Sequence, residues 1–202
     1  MWNALLALSL LGTGPAGREA VRADSQRVVL ELHPQRDRYR GAAELFLTIA
    51  EPVRHLAIDM DGIEPARIEM HDRAGRVGLR WGEHPAGTLL LELERDPMPG
   101  PAEIRIAYDR AFADSGLGLV RVGRGRLASV GSNFVAAGAR AAFPCLPAPQ
   151  RWSLTIEVPA AWRVTTNLRR VREARAPGYR TSLWRSAREL PADSLRVHIT
   201  PR

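Results

Sequence analysis

Short alternating segments separated by turn residues constrain the fold of this chain more than any other feature. Apolar and polar residues alternate with a period of two in segments such as residues 28–33, 56–60 and 152–158. Turn residues interrupt the pattern every 8–15 residues, and no segment keeps a 3.6-residue period. The pattern predicts an all-β fold, a large twisted β-sandwich or saddle of mostly antiparallel strands with little helix.

The rest of the chain continues this pattern without a clear break. No stretch rich in Pro, Gly or Ser divides it, so we expect residues 24–202 to form one β domain. A chain of this size buries roughly 70% of its unfolded surface and needs no disulfide framework. Further strands are predicted at residues 44–49, 67–70, 78–81, 89–93, 103–108, 162–166, 179–184 and 195–200, with turns at residues 34–40, 61–62, 72–75 and 84–87.

The net charge is +7, and all 29 basic residues are Arg, because the chain has no Lys. The excess is uneven: residues 1–100 hold 12 Arg and 15 acidic residues, whereas residues 101–202 hold 17 Arg and 7 acidic residues. No zinc finger or aromatic-rich RNA motif accompanies the charge, so we expect no nucleic-acid partner. The second half is predicted to present a basic face to an acidic partner, a membrane or another domain.

The amino terminus resembles a signal peptide covering residues 1–23. Residues 4–11 form a short apolar run, and Val21-Arg22-Ala23 places small residues where a signal peptidase cleaves. Gly14-Pro15-Ala16 is an alternative cleavage site, and a plain strand or unstructured start is the alternative interpretation, since no basic residue precedes the run. The run is too short to span a bilayer as a helix. We therefore expect export to the periplasm or outside the cell, with no transmembrane span.

Motifs for metal or nucleophile chemistry are missing from the sequence. A catalytic zinc site most simply needs two His one helical turn apart, and no His pair stands at i, i+4 and no His-Glu-x-x-His occurs. There is no Gly-x-Ser-x-Gly elbow either. We expect no catalytic residue, no bound metal and no cofactor in this chain. The five His are His33, His55, His71, His84 and His198.

Gly123 to Ala128 formally fits a G-x-G-x-x-A dinucleotide fingerprint. That fingerprint works because a helix N-terminus follows it and receives a pyrophosphate. Here residues 130–134 are expected to be extended, not helical. The glycines are therefore predicted to form a hairpin tip whose Arg side chains reach solvent.

The run Ala139-Arg140-Ala141-Ala142-Phe143-Pro144-Cys145 resembles a segment of a known family, the Ala-Arg-x-x-Phe-Pro-Cys of the amino-terminal β domain of M1-family zinc aminopeptidases, the aminopeptidase N group. Shorter matches follow the family's order from residue 27 to residue 200. They are Tyr39-x-Gly41, Val53-x-x-Leu56-x-Ile58, Gly118-Leu119-Val120-Arg121, Ser132-Asn133-Phe134-Val135 and Thr166-Asn167. The resemblance implies a saddle-shaped β domain that packs over a thermolysin-like zinc catalytic domain.

The resemblance also implies a substrate-cleft loop at Asn133, Phe134 and Val135. In the family this loop reaches the active site, where an acidic or amide side chain anchors the substrate's free α-amino group. Val135 stands where the family has Glu and can accept no hydrogen bond, whereas Asn133 keeps an amide. Pro147-Ala148 replaces the family's acidic pair.

The residues Arg140, Phe143, Pro144 and Cys145 match the family motif and are expected to be structural. A small thiol between Pro144 and Leu146 is predicted to pack rather than react, although Arg140 nearby favours a lower thiol pKa.

Three functional hypotheses remain open at the level of sequence. The first is a non-catalytic aminopeptidase N-like domain, a fragment of or accessory to an M1 zinc metallopeptidase, which docks on or lines the cleft of a catalytic domain. The second is a secreted β-sandwich module that binds another protein or a glycan and has no link to proteolysis. The third is an enzyme whose site, built on loops, has no sequence motif. Under the first hypothesis, zinc would belong to the catalytic domain.

Overall fold

The structure, a computed structural model, describes residues 20–84 and 87–202. Strands dominate it, because alternating apolar residues can bury one face of an extended chain. The strands are β1 (Val21–Glu31), β2 (Arg38–Ile49), β3 (His55–Asp59), β4 (Glu64–Asp72), β5 (Gly75–Val77), β6 (Leu79–His84), β7 (Thr88–Leu93), β8 (Gly100–Ala111), β9 (Gly118–Val122), β10 (Ser129–Asn133), β11 (Arg151–Pro159), β12 (Trp162–Thr166), β13 (Arg169–Ala176), β14 (Tyr179–Arg185) and β15 (Val197–Pro201).

An eight-stranded sheet forms one layer, in the order β13-β14-β11-β1-β2-β8-β4-β5. Its named strand pairs are antiparallel except β1 with β11, which run parallel from Ser25↔Arg151 to Glu31↔Glu157. Along β1, β2, β8 and β11, buried residues alternate with more exposed ones. One face of this sheet therefore belongs to the core, and the other carries charged pairs such as Arg105 with Glu103.

Two smaller sheets supply the other side of the core. One has the order β12-β15-β10-β9, and the other has the order β3-β7-β6. Buried side chains from all three sheets belong to one continuous hydrophobic cluster, with Trp152 of the large sheet and Ile58 and Val130 of the smaller sheets among its members. The prediction of an all-β, mostly antiparallel sandwich is confirmed.

Helical structure in the described residues is limited to three short 3₁₀ segments, at Gly125–Leu127, Val135–Ala141 and Ala192–Ser194. Each predicted strand overlaps a strand of the structure. The predicted turn at residues 34–40 is shorter than expected, because β2 already begins at Arg38. Strands β5, β9 and β13 were not among the predicted strand ranges.

The predicted signal peptide lies mostly outside the described residues. Of its last residues, Ala20 and Val21 are buried, and β1 begins at Val21, which pairs with Ile49 of β2. Cleavage after Ala23 would therefore remove the first residues of a paired strand, whereas cleavage after Ala16 would leave the strand whole.

A close approach of two strands explains the Tyr39-x-Gly41 pattern. Gly41 of β2 lies opposite Tyr108 of β8, and a Cβ at Gly41 would overlap the Tyr108 ring. The missing side chain therefore makes room for a buried aromatic ring on the core face. Tyr39, two residues earlier on the same face, is also buried and lies 5.0 Å from the Phe112 ring.

Candidate substrate-cleft loop and its buried support

The loop predicted to reach a substrate cleft begins at the end of β10. Asn133 is the last residue of that strand and pairs with Gly118 of β9. Its Nδ2 donates a hydrogen bond of 2.6 Å to the carbonyl of Gly116. This bond uses one donor of the amide and none of its acceptor capacity.

The next two residues have opposite environments. Phe134 is only 1% exposed and meets the Phe143 ring edge-on, with 5.5 Å between the ring centroids. Val135 is 56% exposed and begins the 3₁₀ segment. Phe134 therefore anchors the loop, and Val135 is the apolar side chain that the loop presents to solvent.

Gly138 allows the loop to fold back on itself. A Cβ at this position would stand 2.5 Å from the carbonyl oxygen of Asn133 and 3.1 Å from Cδ2 of Leu117. Backbone cannot yield as a flexible side chain can, so any larger residue must displace the end of β10.

Residues 139–145, the buried connection, follow the loop and cross the core without forming a strand. Ala139 and the five residues Ala141–Cys145 are buried, so their backbone polar groups need partners inside the protein. The hydroxyl of Tyr39 donates to the carbonyl of Ala142 at 2.8 Å, and Nε2 of Gln26 donates to the carbonyl of Pro144 at 2.6 Å. Cys145 exchanges two backbone hydrogen bonds with Asp59, of 2.9 and 3.0 Å.

A pair of fully buried glutamines supports this connection from β1 and from the approach to β11. Gln26 and Gln150 are both 0% exposed, and Nε2 of Gln150 donates to Oε1 of Gln26 at 2.9 Å. The backbone of Gln150 exchanges hydrogen bonds with Leu190, whose carbonyl also accepts from Trp152 Nε1 at 2.8 Å. Sequence reasoning missed both glutamines. Their position was the available clue, because each continues the inward-facing apolar series of its strand.

Arg140 supplies the charge in this region. Its backbone carbonyl accepts from the amide of Asp61 at 2.9 Å. Burial raises the pKa of Asp59, nearby Asp193 adds to the rise, and the positive charge of Arg140 opposes it. Asp193 also accepts a hydrogen bond of 3.3 Å from the amide of Ala139. Arg140 therefore lies near the carboxylates of Asp59 and Asp193, which come from distant parts of the chain.

The thiol of Cys145 is 5% exposed. Burial raises its pKa far above the usual range, the charges of Asp59 and Asp193 raise it further, and Arg140 only partly opposes them. The thiol is therefore protonated at neutral pH, and a protonated thiol is a poor nucleophile. Among the described residues Cys145 forms no disulfide.

The side chains of the described residues do not form a catalytic zinc site. Across residues 20–84 and 87–202, no group of three or more His, Cys, Asp or Glu residues could hold a metal ion. Gly123–Ala128 does not fit a dinucleotide site either, because it forms the tip of the hairpin of β9 and β10, and the strand β10 follows it directly where the fingerprint needs a helix. Within the same described ranges, no helix is long and apolar enough to cross a membrane.

Comparisons with known proteins agree with this architecture. The sequence profile of the peptidase M1 N-terminal domain matches residues 23–192, so the chain belongs to the peptidase M1 N-terminal domain family. No curated protein sequence matches the chain.

Two solved structures show the same fold at low sequence identity. The M1 zinc metallopeptidase from Deinococcus radiodurans matches with a TM-score of 0.74 and 19% identity, over 90% of this chain and 42% of that chain. A mutant of a two-domain M1 zinc metallopeptidase with L-arginine bound matches with a TM-score of 0.75 and 18% identity, over 91% of this chain and 43% of that chain. The 202 residues thus span less than half of each of these relatives.

Proposed function

We propose that this domain serves a zinc metallopeptidase without catalysing the reaction itself. It docks on, or lines the cleft of, an M1 catalytic domain, whether that domain belongs to the same polypeptide or to another. Family membership supports the type of partner. The observation that carries the docking role is a concentration of exposed apolar side chains on one hairpin.

The exposed hairpin comprises residues 117–135, which include β9 and β10. Leu117 is 36% exposed, Val122 63%, Leu127 83% and Val135 56%. Other exposed large apolar residues in the described chain are spread over several strands and loops, at Val29, Trp81, Met98, Val171 and Tyr179. Several exposed apolar side chains on one element indicate a contact surface, since the exposure of each one to water is unfavourable in free energy.

The side chains of the loop favour contact with an apolar surface of complementary shape and do not favour recognition of a charged group. An ammonium group removed from water needs an acceptor or a counter-charge, and Val135 offers neither. The Asn133 amide already donates to the backbone of Gly116. The hairpin is therefore suited to covering an apolar surface of the catalytic domain, and substrate amine recognition is left to that domain.

The non-catalytic part of the proposal is tested on the 202-residue chain. We expect zinc well below one equivalent by atomic emission and no release of chromophore from Leu- or Ala-anilide substrates. The physical reason is that no described group of side chains can hold a metal that activates water. One equivalent of zinc, together with turnover that a chelator abolishes, would show that the chain is itself an enzyme.

The docking part is tested with a catalytic domain that contains His-Glu-x-x-His and is encoded in the same genome. The two are co-expressed and the complex is measured by size exclusion and calorimetry. We expect Val122→Ser and Leu127→Ser each to weaken the complex by about tenfold, because each loses roughly 1–2 kcal/mol of apolar burial. Val171→Ser is the matched control, since Val171 is 44% exposed on β13, at the edge of the eight-stranded sheet and away from the hairpin sequence.

Two outcomes count against docking through this hairpin. One is a complex that the hairpin variants and the control affect equally. The other is no complex with any such catalytic domain, which would favour the alternative of a β-sandwich module with a partner unrelated to proteolysis.

A further inference from the structure

Five arginine side chains converge on one open cleft, the arginine cleft, far along the chain from the predicted loop. Its volume is about 380 Å³, and it lies between β13 and β14 of the large sheet and β12 of the four-stranded sheet. Glu173 is the acidic residue in its lining, so the lining carries an excess of four positive charges. The arginines are Arg163, Arg170, Arg175, Arg180 and Arg202.

Arg180 is the most unusual member, because only 5% of it is exposed. A buried guanidinium is costly unless its donors are bonded. Its Nε has no hydrogen-bond acceptor in the described part of the chain, and the nearest carboxylate oxygen, Oε1 of Glu173, lies 3.7 Å away. Burial lowers the pKa of Arg180, and Arg202, Arg175 and Arg170 add to this effect against Glu173.

Glu173 cannot accept hydrogen bonds from all the donors of the arginines around it, nor can it balance their charge. It already accepts from Nη1 of Arg170 at 2.9 Å and from Nε and Nη2 of Arg175 at 3.3 Å. Burial alone would raise the pKa of Glu173, but Arg180, Arg175 and Arg170 outweigh it and hold the pKa below its usual value. One carboxylate shared by three guanidinium groups leaves donors and positive charge uncompensated.

The cleft is held in shape by packing as well as by charge. Arg170 lies over the Trp184 ring at 5.8 Å, and Trp184 Nε1 donates to Ser182 at 2.8 Å. Arg180, Ser182 and Trp184 share the buried side of β14. The donors are therefore arranged before any ligand arrives, which lowers the entropy cost of binding.

Protection of a sheet edge explains only part of this arrangement. β13 is the edge strand of the large sheet, and exposed arginines on such a strand discourage pairing with another chain. That role needs exposed charges, and it accounts for the exposed arginines of β13, which are Arg169, Arg170, Arg172 and Arg175. It does not account for Arg180, which is buried on the next strand, or for Arg163, which comes from a different sheet.

We propose that the arginine cleft binds a phosphate-bearing anion. The planar guanidinium fork matches the oxygens of a phosphate, and several such groups around one anion form the tightest version of this contact. A single carboxylate would leave most of the excess charge in place, as Glu173 does, whereas a phosphate group carries up to two charges and more acceptor oxygens. This site is separate from the hairpin and does not depend on the proposed docking role.

Calorimetric titration of the 202-residue chain with pyrophosphate at low salt tests the proposal. We expect one saturable site and, for Arg170→Gln and Arg175→Gln, at least about tenfold weaker binding, because each removes a charge-assisted contact. These side chains are 55% and 69% exposed, so the fold should tolerate both changes. Arg76→Gln is the control, since it removes the same charge from β5, at the opposite edge of the same sheet.

Arg180→Gln should abolish binding, and circular dichroism shows whether that variant remains folded. Two further arms identify the source of the phosphate. Binding to vesicles of phosphatidylglycerol but not phosphatidylcholine indicates a lipid headgroup, whereas pyrophosphate binding without vesicle binding indicates a soluble ligand. The proposal is overturned if neither pyrophosphate nor anionic vesicles bind, if citrate binds as tightly as pyrophosphate, or if Arg76→Gln weakens binding as much as the cleft variants.

Discussion

The buried connection and the exposed hairpin are neighbours in sequence, and both resemble the same peptidase family, yet their environments are opposite. In the connection, the residues from Ala141 to Cys145 are buried, and side chains from β1 and β2 donate hydrogen bonds to the carbonyl groups of Ala142 and Pro144. On the hairpin, four large apolar side chains face solvent. The difference indicates that the residues of the buried connection are needed to fold this domain, whereas the exposed apolar side chains of the hairpin are available to contact another molecule.

The largest expected effect comes from Phe143, the centre of the buried connection. Its ring is 0% exposed and lies between Phe134 and Trp152, at centroid distances of 5.5 and 5.7 Å. Phe143→Ala should lower the free energy of unfolding by about 3–5 kcal/mol, because a cavity replaces a buried ring. Guanidinium unfolding followed by circular dichroism measures the loss. Val135→Ala is the control and should change little, and an equal loss in both variants would erase the contrast between the two regions.

The next largest effect concerns the glutamine pair. Gln26→Ala leaves the carbonyl of Pro144 and the amide of Gln150 without their partners in the core. We expect a loss of about 2–3 kcal/mol, since an unsatisfied buried polar group costs its desolvation. Gln35→Ala, at an exposed position, is the control for side-chain truncation.

The thiol of Cys145 reports whether that loss is local. Because Cys145 follows Pro144 and is buried, a thiol reagent should label native protein only when this region opens. Gln26→Ala should therefore speed labelling, while Gln35→Ala should not. Rapid labelling of the unmodified protein would mean that the connection is not closed in solution.

Sequence reasoning found the elements whose burial alternates. β1, β2, β8 and β11 each bury one face, so their period of two was visible in the residues themselves. It missed β13, whose residues are nearly all exposed and therefore show no apolar alternation. It also missed β9, and β5, which has three residues and forms only a short antiparallel hairpin with β4.

The candidate sites were less predictable, because their contacts join distant parts of the chain. The hydrogen bond between Gln26 and Gln150 joins residues 124 positions apart, and the local sequence around either residue does not indicate its partner. The five arginines of the cleft all come from the Arg-rich second half of the chain. Only the fold places Arg163, Arg180 and Arg202, from three different strands or strand ends, around one cleft. Alternation reports which face is buried, but it does not report which faces meet.

A smaller effect is expected at Gly138, where the two regions join. An added methyl group would stand 2.5 Å from the carbonyl oxygen of Asn133, so Gly138→Ala should cost about 1–2 kcal/mol by displacing the end of β10. Gly82→Ala is the matched control, because a Cβ there meets nothing within 4 Å. Equal stability of the two variants would indicate that the loop relaxes freely and that Gly138 does not fix its shape.

The smallest effect on stability, and the sharpest test of the contrast, lies at Leu127. This side chain is 83% exposed, so Leu127→Ser should change the free energy of unfolding by no more than about 0.5 kcal/mol. The same change should reduce retention on a hydrophobic-interaction column, because it removes an apolar group that water already contacts. A loss of stability comparable to that of Gly138→Ala would mean that the Leu127 side chain packs against the domain in solution. The exposed apolar surface would then be part of the fold and would not be available to a partner.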